Sequence, residues 1–184
     1  DLQDIGTRFY TYMTTMAYVM EEAAARKIKV FVLDRPNPIG GVLMEGPSLD
    51  EAAVGFTGYF PAMPIRHGMT MGELARLFNA EKKIGADLTV IGMRHWRRDA
   101  WFDETGLPWV IPSPNLPTLD SAIVYPGAVL IEGTRLSEGR GTTRPFELVG
   151  APGINAEHFA QEMNGLRLPG ACFRPAVFEP TFQK

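Results

Sequence analysis

The polar segment between Trp109 and Pro152 holds the densest set of side chains that could carry out chemistry. It mixes carboxylates, guanidinium groups, hydroxyls and an amide with glycines and prolines that fix the backbone. Such a segment cannot build a hydrophobic core, and its composition is typical of a rigid binding loop. It therefore predicts one wall of a site for a polar, sugar-like substrate, with Trp109 as an aromatic platform. The ligand contacts assigned to this wall are Trp109, Ser113, Asn115, Arg140 and Arg144.

Four glutamates are candidates for acid–base chemistry because they lie beside glycines or prolines rather than on helix faces. Hydrolysis of a glycosidic bond needs two carboxylates, one as the acid and the other as base, nucleophile or charge stabiliser. The alternative is that Glu132 and Glu138 pair with Arg140 and Arg144 only to fasten the loop. Arginines generally lower the pKa of neighbouring carboxylates, which disfavours a general acid, so we expect the acid elsewhere. The four glutamates are Glu45, Glu132, Glu138 and Glu147.

A histidine lies immediately before a helix that is predicted to begin at Thr70. At a helix N-terminus a histidine can hydrogen-bond a hydroxyl or carboxylate of a ligand, while the helix dipole opposes its protonation. We interpret His67, beside Arg66, as a ligand contact or catalytic assistant, and a structural hydrogen bond is the alternative. His95 and His158 are assigned surface or packing roles.

The elements that must position these residues follow a regular alternation of helical and strand patterns, at intervals of roughly 40 residues. This alternation predicts an α/β fold with a mostly parallel sheet covered by helices. The first strand is apolar throughout and is expected to be buried on both faces. Pro175 places the last strand at an edge or gives it a bulge. Predicted helices lie at residues 10–27, 70–85, 119–125 and 155–165, and predicted strands at 30–33, 88–93, 128–131 and 171–178.

Polar residues follow three of the predicted strands, and ligands bind outside the carboxyl ends of the strands in open parallel sheets. If residues 1–4 end a further strand that starts upstream, Asp4 and Arg8 join the same rim. Long connections at residues 34–70 and 94–118 are expected to be functional loops. The residues after the three strands are Asp34, Arg35 and Asn37, then Arg94, His95 and Trp96, and finally Glu132, Glu138 and Arg140.

Composition argues against several classes of function. The net charge of -3 provides no basic field, so nucleic acid is not an expected partner. A single cysteine, Cys172, permits no internal disulfide, and three histidines show no zinc spacing. No apolar run approaches the ~20 residues of a membrane span. Neither a phosphate-binding loop nor a G-x-S-x-G elbow is present, so nucleotide binding and serine hydrolysis lack support.

Across these residues the chain resembles the bacterial exo-acting β-N-acetylmuramidases of the NamZ type, long described as a domain of unknown function. The resemblance spans essentially the whole chain in the correct order. Local departures are Arg135 in place of Asn, Leu116 in place of Met, and Phe56-Thr57 in place of Phe-Val. The matching segments are DLQDIGTRFYTY (1–12), LDRPNPIGG (33–41), EGP (45–47), PIRHGMT (64–70) with GELA (72–75), TGLPWV (105–110), PSPN (112–115) and EGRGTTRPFE (138–147).

The resemblance implies a Rossmann-like domain joined to a smaller C-terminal domain, with the active-site cleft between them. Residues 1–150 would belong to the first domain, and residues 151–184 would begin the second. It implies removal of terminal N-acetylmuramic acid from the non-reducing ends of peptidoglycan fragments, with no metal or organic cofactor. A secreted or periplasmic location is also implied. The leading general-acid candidate of the family is the glutamate of an upstream Pro-Glu-His-Gly segment, and this chain starts after that segment.

The first hypothesis is therefore a glycoside hydrolase acting on muramyl sugars. A second is a non-catalytic carbohydrate-binding or sensing domain for amino sugars, and a third is a hydrolase for a different amino sugar. An arginine of the site could bind the lactyl carboxylate of muramic acid as a bidentate partner. The catalytic candidates are Glu138, His67 and Glu45, and the substrate-binding candidates besides the polar segment are Asp4, Arg8, Asp34, Arg35, Asn37 and Arg66.

Overall fold

The computed structural model describes residues 1–181 and divides the chain into two compact units, Asp1–Pro112 and Ser113–Lys184. The boundary between the units, after Pro112, precedes the domain boundary that the family resemblance implies near residue 150. A compact unit need not coincide with a family domain, so the domain boundary near residue 150 stays a prediction. No helix in the described part of the chain is long and apolar enough to cross a membrane.

The first unit contains a parallel strand pair covered by two helices. Strand β1, Val30–Leu33, runs parallel to β4, Leu88–Ile91, with Val30 opposite Leu88. Helix α1, Tyr12–Ala25, and helix α2, Met71–Glu81, pack on this pair and on each other. The α/β class predicted from the sequence is confirmed, as are both helices and both strands, within a few residues at their ends.

A second, antiparallel pair lies inside the long connection that follows β1. Strand β2, Glu45–Ser48, pairs with β3, Pro64–Arg66, in a register that places Glu45 opposite Arg66. The sequence pattern missed this pair because each strand is very short and contains proline, which weakens a strand signal. Short 3-10 helices at Glu51–Ala53 and Phe102–Thr105 complete the unit.

The core of the first unit joins α1 and α2 to one face of β1. Met13, Met16 and Met20 of α1 are buried against Phe78 of α2 and Val32 of β1. The methionines are therefore core residues, as the periodicity predicts.

The prediction that β1 is buried on both faces is wrong for the described residues. Phe31 and Leu33 are 58% and 47% exposed, and Ile91 on the neighbouring strand is 49% exposed. The reason is that both helices cover the face that carries Val32, so alternate side chains on the opposite face remain open to solvent.

The second unit is helical and irregular. Helix α3, Leu119–Ala128, continues into a 3-10 helix, Val129–Gly133, and helix α4 spans Ala156–Gly165. The strand predicted at 128–131 is wrong because a short apolar run does not distinguish a strand from a helical turn, and this segment forms the 3-10 helix. The strand predicted at 171–178 is also wrong. The Asn164 side chain donates to the Phe173 carbonyl and accepts from the Phe173 amide. These backbone groups of Phe173 are therefore not available to pair with a neighbouring strand.

Candidate functional site

The Asp4 and His67 side chains form a buried pair in the first unit. Asp4 Oδ2 accepts hydrogen bonds from the Gly6 amide at 2.7 Å and from His67 Nε2 at 3.0 Å. His67 Nδ1 accepts a hydrogen bond from the Met69 amide at 3.1 Å. An imidazole nitrogen that accepts cannot carry a proton, so the proton resides on Nε2 and the ring is neutral. Both nitrogens are thus occupied, and this geometry favours the structural alternative for His67 over a free acid–base group.

Asp34 organises the start of helix α2. Its carboxylate accepts hydrogen bonds from Thr70 Oγ1 at 3.0 Å and from the Gly72 amide at 2.7 Å. Thr70 and Glu73 add a reciprocal capping box. The negative charge at the helix N-terminus also complements the helix dipole. The strand end therefore places Asp34 at the predicted edge, but the carboxylate is used to cap the helix.

Asn37 and Arg35 fasten the backbone beside this cap. Asn37 is buried, donates to the Met69 carbonyl at 3.0 Å and accepts from the Ile39 amide at 3.2 Å. Arg35 Nε donates to Gln3 Oε1 at 3.2 Å. Both residues lie where the sequence predicts, and both make protein contacts there.

Arg8 is the most desolvated arginine among the candidates. It is 7% exposed, and its Nη1 donates to the carbonyls of Pro47 at 2.9 Å and Met63 at 2.6 Å. Burial lowers the pKa of Arg8 because it disfavours the charged form. The two carbonyls supply dipoles but no neutralising charge.

Arg66 joins a carboxylate and an indole. Its Nη1 lies 2.7 Å from Glu45 Oε2, its Nη2 bonds the Ile39 carbonyl, and its guanidinium stacks over the Trp101 ring at 5.5 Å. The Glu45 side chain is 59% exposed, so this carboxylate is open to solvent beside a cation. Cation–π stacking orients the guanidinium plane without consuming its hydrogen-bond donors.

Two residues of this region are absent from the sequence-based assignment. Trp101 stacks with Arg66, whereas Trp109, the chosen platform, packs edge-to-face on Phe102 at 4.9 Å. Arg98 Nη1 donates to the carbonyls of Gly41 at 3.2 Å and Gly68 at 2.9 Å, and Nη2 bonds Glu73. No local pattern could have selected Trp101 over the other tryptophans or found these long-range carbonyl contacts.

Glu138 is the distinctive group of the second unit. It is 6% exposed, its Oε1 lies 3.4 Å from Arg140 Nε, and its Oε2 is buried without a hydrogen-bond partner among the described residues. Arg140 also bonds Glu132 and stacks over the Phe146 ring at 5.4 Å. The geometry thus presents a buried carboxylate oxygen beside a cation that is itself held from two other sides.

The backbone around Glu138 is fixed by two left-handed residues. Gly139 has φ 78°, and an added Cβ there would lie 2.9 Å from the Leu148 carbonyl oxygen. Phe146 has φ 67°, which is uncommon for a residue with a side chain, and its amide donates to the Glu138 carbonyl at 2.7 Å. These two residues and the hydrogen bond between Phe146 and Glu138 define the backbone conformation of the polar segment at this point.

The remaining candidates of the polar segment have simpler contacts. Arg144 Nη1 pairs with Glu147 Oε2 at 2.8 Å and not with Glu132 or Glu138. In the loop-fastening alternative, only the pairs of Glu132 and Glu138 with Arg140 are observed among the described residues. Ser113 Oγ accepts from the Asn115 amide at 3.3 Å, which shapes a local turn. Of the four candidate glutamates, only Glu138 combines burial with an unpartnered oxygen in the described chain.

Backbone pairing brings several predicted residues together within each unit. In the first unit Thr7 bridges to Arg66, the Arg8 amide donates to the Ile65 carbonyl at 2.8 Å, and the His67 amide donates to the Gly6 carbonyl. Asp4, Arg8, Arg66 and His67 therefore lie on adjoining backbone segments. In the second unit Glu132, Glu138 and Arg140 cluster through their side chains. Residues 1–181 contain no group of three His, Cys, Asp or Glu side chains suited to a metal ion.

Comparison with known proteins gives consistent results along the whole chain. A family model described as exo-β-N-acetylmuramidase NamZ, N-terminal, matches residues 1–120, and the corresponding C-terminal model matches residues 123–184. The peptidoglycan β-N-acetylmuramidase NamZ of Bacillus subtilis (strain 168) is 58% identical over 184 residues. The match covers 100% of this chain and 44% of that relative, so the chain spans less than half of its length.

Two crystal structures of DUF1343 family proteins from Bacteroides fragilis NCTC 9343 are similar to this chain. The first is 39% identical with a TM-score of 0.92, and the match covers 99% of this chain and 48% of that protein. The second is 42% identical with a TM-score of 0.76, and the match covers 84% and 43%, respectively. The family models and the Bacillus subtilis relative do not favour the carbohydrate-binding alternative.

Proposed function

Because the chain belongs to the exo-β-N-acetylmuramidase NamZ family, we propose that this protein is a glycoside hydrolase. Its substrates are peptidoglycan fragments, from whose non-reducing ends it releases terminal N-acetylmuramic acid. The observation that carries the proposal is the buried Glu138 carboxylate, with one oxygen free of hydrogen bonds in the described chain. A secreted or periplasmic location, where peptidoglycan is present, belongs to the same proposal.

The chemistry requires a carboxylate that acts opposite a general acid. Glycoside hydrolysis passes through an oxocarbenium-like transition state. A correctly placed carboxylate can stabilise its positive charge, act as the nucleophile, or act as the general base that activates a water molecule. Glu138 suits this role because Arg140 places a fixed positive charge beside Oε1 and leaves Oε2 unpartnered. The general acid is the glutamate of the Pro-Glu-His-Gly segment that the family resemblance implies.

Glu45 is the second carboxylate candidate. It is mostly exposed and already paired with Arg66, so it is better suited to hydrogen bonding a sugar hydroxyl than to holding a reactive proton. Trp101, stacked on the same arginine, offers an apolar ring face beside that carboxylate. Sugars are bound by this combination of a flat ring and charged hydrogen-bonding groups.

The test is the turnover of a chromogenic β-N-acetylmuraminide by the full-length Glu138→Gln protein. We expect kcat/KM to fall at least about tenfold, since a positioned carboxylate contributes about 10²–10⁴-fold in such reactions. The exposed Glu157, on helix α4, provides the matched control Glu157→Gln, which should retain its turnover. Unchanged kinetics of Glu138→Gln would remove Glu138 from the site. Binding of muramic acid without any product release by the wild-type protein would instead support a sugar-binding domain.

A further inference from the structure

Unpartnered buried polar atoms are concentrated in one strip of the first unit. They are Asp4 Oδ1, Thr7 Oγ1 and Arg8 Nε from residues 4–8, together with Arg66 Nε from the adjoining strand β3. Native proteins pair the great majority of their buried polar atoms, so such a concentration indicates a place where a further polar partner binds. We call these four residues the polar strip.

Arg8 differs from the other candidate arginines of the first unit in its charge balance. Arg35 has Asp1 at 3.7 Å and Arg66 has Glu45 at 2.7 Å, whereas no carboxylate lies within 4.0 Å of Arg8 in the described part of the chain. Its hydrogen-bonded Nη1 contacts only carbonyl oxygens. Its Nη2 makes no hydrogen bond to residues 1–181 and is not among the fully buried unpartnered atoms, so it retains access to solvent.

The carboxylates of this region do not neutralise Arg8. The Asp4 carboxylate accepts from the Gly6 amide and from His67, and the Glu45 carboxylate pairs with Arg66. A buried cation without a counter-charge is costly, and an anionic ligand that pairs with it removes this cost. The environment of Arg8 therefore favours a ligand that carries a carboxylate or a similar anion.

The proposed substrate carries one such group. N-Acetylmuramic acid differs from N-acetylglucosamine only by a lactyl ether, whose carboxylate is the single charge of the sugar. Resting on the proposed function, we propose that Arg8 binds this lactyl carboxylate and thereby makes the protein select muramic acid over neutral amino sugars. A planar guanidinium is well suited to this task because it can donate two parallel hydrogen bonds to a carboxylate.

The experiment compares two substrates that differ only in the lactyl group, which is a charged carboxylate in one and a neutral amide in the other. One is a chromogenic β-N-acetylmuraminide, and the other is its lactyl carboxamide, in which a neutral amide replaces the carboxylate. We expect the full-length wild-type protein to prefer the acid by about 30-fold or more in kcat/KM, as for a desolvated charge pair. The Arg8→Met variant should lose this preference, and Arg8→Lys, which keeps the charge, should retain part of it. The exposed Arg97, paired with Asp99, gives the control Arg97→Met, which should keep the full preference.

Each outcome decides the proposal. Equal turnover of the acid and the amide by the wild-type protein overturns it, even if Arg8→Met fails to fold. An equal loss on both substrates in Arg8→Met also overturns it, since Arg8 would then only hold the Pro47 and Met63 carbonyls. If the wild-type protein hydrolyses neither substrate, the proposed function fails. Calorimetric titration then compares the affinities for N-acetylmuramic acid and for its carboxamide. Tighter binding of the acid, lost in Arg8→Met, supports the role of Arg8. Equal affinity for the two sugars overturns it.

Discussion

Among single residues, buried and half-buried polar side chains have all of their hydrogen bonds made in some cases and an atom without a partner in others. His67 uses both ring nitrogens, and Asp34 has three donors within 3.0 Å. Arg8 and Glu138 each retain an atom without a partner in the described chain. A buried polar group whose hydrogen bonds are all made stabilises the fold, whereas a buried group with an unmade hydrogen bond is stabilised when a further partner binds. The unmet hydrogen bonds of Arg8 and Glu138, each within its own unit, are the basis of the roles proposed for these two residues.

His67 tests this distinction. In the His67→Leu variant we expect the free energy of unfolding to fall by about 1–3 kcal/mol, because the Asp4 carboxylate and the Met69 amide lose buried partners. Urea unfolding of the variant and the wild-type protein measures the change. The matched control is His158→Leu at an exposed position of helix α4, which should stay within about 0.5 kcal/mol of the wild type. Full stability with lost turnover would assign His67 to catalysis instead.

At the scale of elements, local signals predicted those helices and strands that carry their own start and stop residues. The capping box of Thr70 and Glu73 and the N-cap Asn155 mark α2 and α4 correctly. Strands β1 and β4 follow from their apolar runs. The pair β2–β3 could not be predicted, because it depends on pairing between segments about 20 residues apart rather than on local propensity. The same dependence on partners explains why the runs at 128–131 and 171–178 do not form strands.

Two helical glycines test how tightly α2 packs. A Cβ on Gly72 would lie 2.5 Å from Val90 Cγ1 and 2.8 Å from Asp34 Cγ, whereas a Cβ on Gly127 in α3 would meet nothing within 4 Å. We expect Gly72→Ala to reduce the free energy of unfolding by about 1–3 kcal/mol through overpacking. Gly127→Ala should leave it unchanged or raise it by up to about 1 kcal/mol, because alanine favours helix. Thermal and urea unfolding provide the comparison, and equal effects of the two changes would contradict the packing of α2 on β1 and β4.

The candidate site was only partly accessible to sequence reasoning. Strand ends correctly located Asp34, Arg35 and Asn37, but not their use in capping and bracing the loops. The contacts of Arg98 and Trp101 join segments that are distant in the sequence, so no spacing of residues along the chain predicts these contacts. The turn at Gly139 was predictable because glycine favours a left-handed backbone, whereas the left-handed Phe146 was not.

At the scale of the whole molecule, the two units contribute different chemistry. The first holds the polar strip, the Arg66–Trp101 stack and the capped helix α2, and the second holds the buried Glu138 with Arg140. The family models divide between residues 120 and 123, close to the division between the compact units after Pro112. Fold class and family were thus within reach of the sequence, because they rest on motifs distributed along the entire chain.

The proposed release of muramic acid from non-reducing ends is tested by product analysis of the full-length protein on two isomeric disaccharides. One carries N-acetylmuramic acid at the non-reducing end and N-acetylglucosamine at the reducing end, and the other has the reverse order. We expect free N-acetylmuramic acid from the first disaccharide and no cleavage of the second. Cleavage of the second disaccharide, with or without the first, or cleavage of neither, would contradict this proposal.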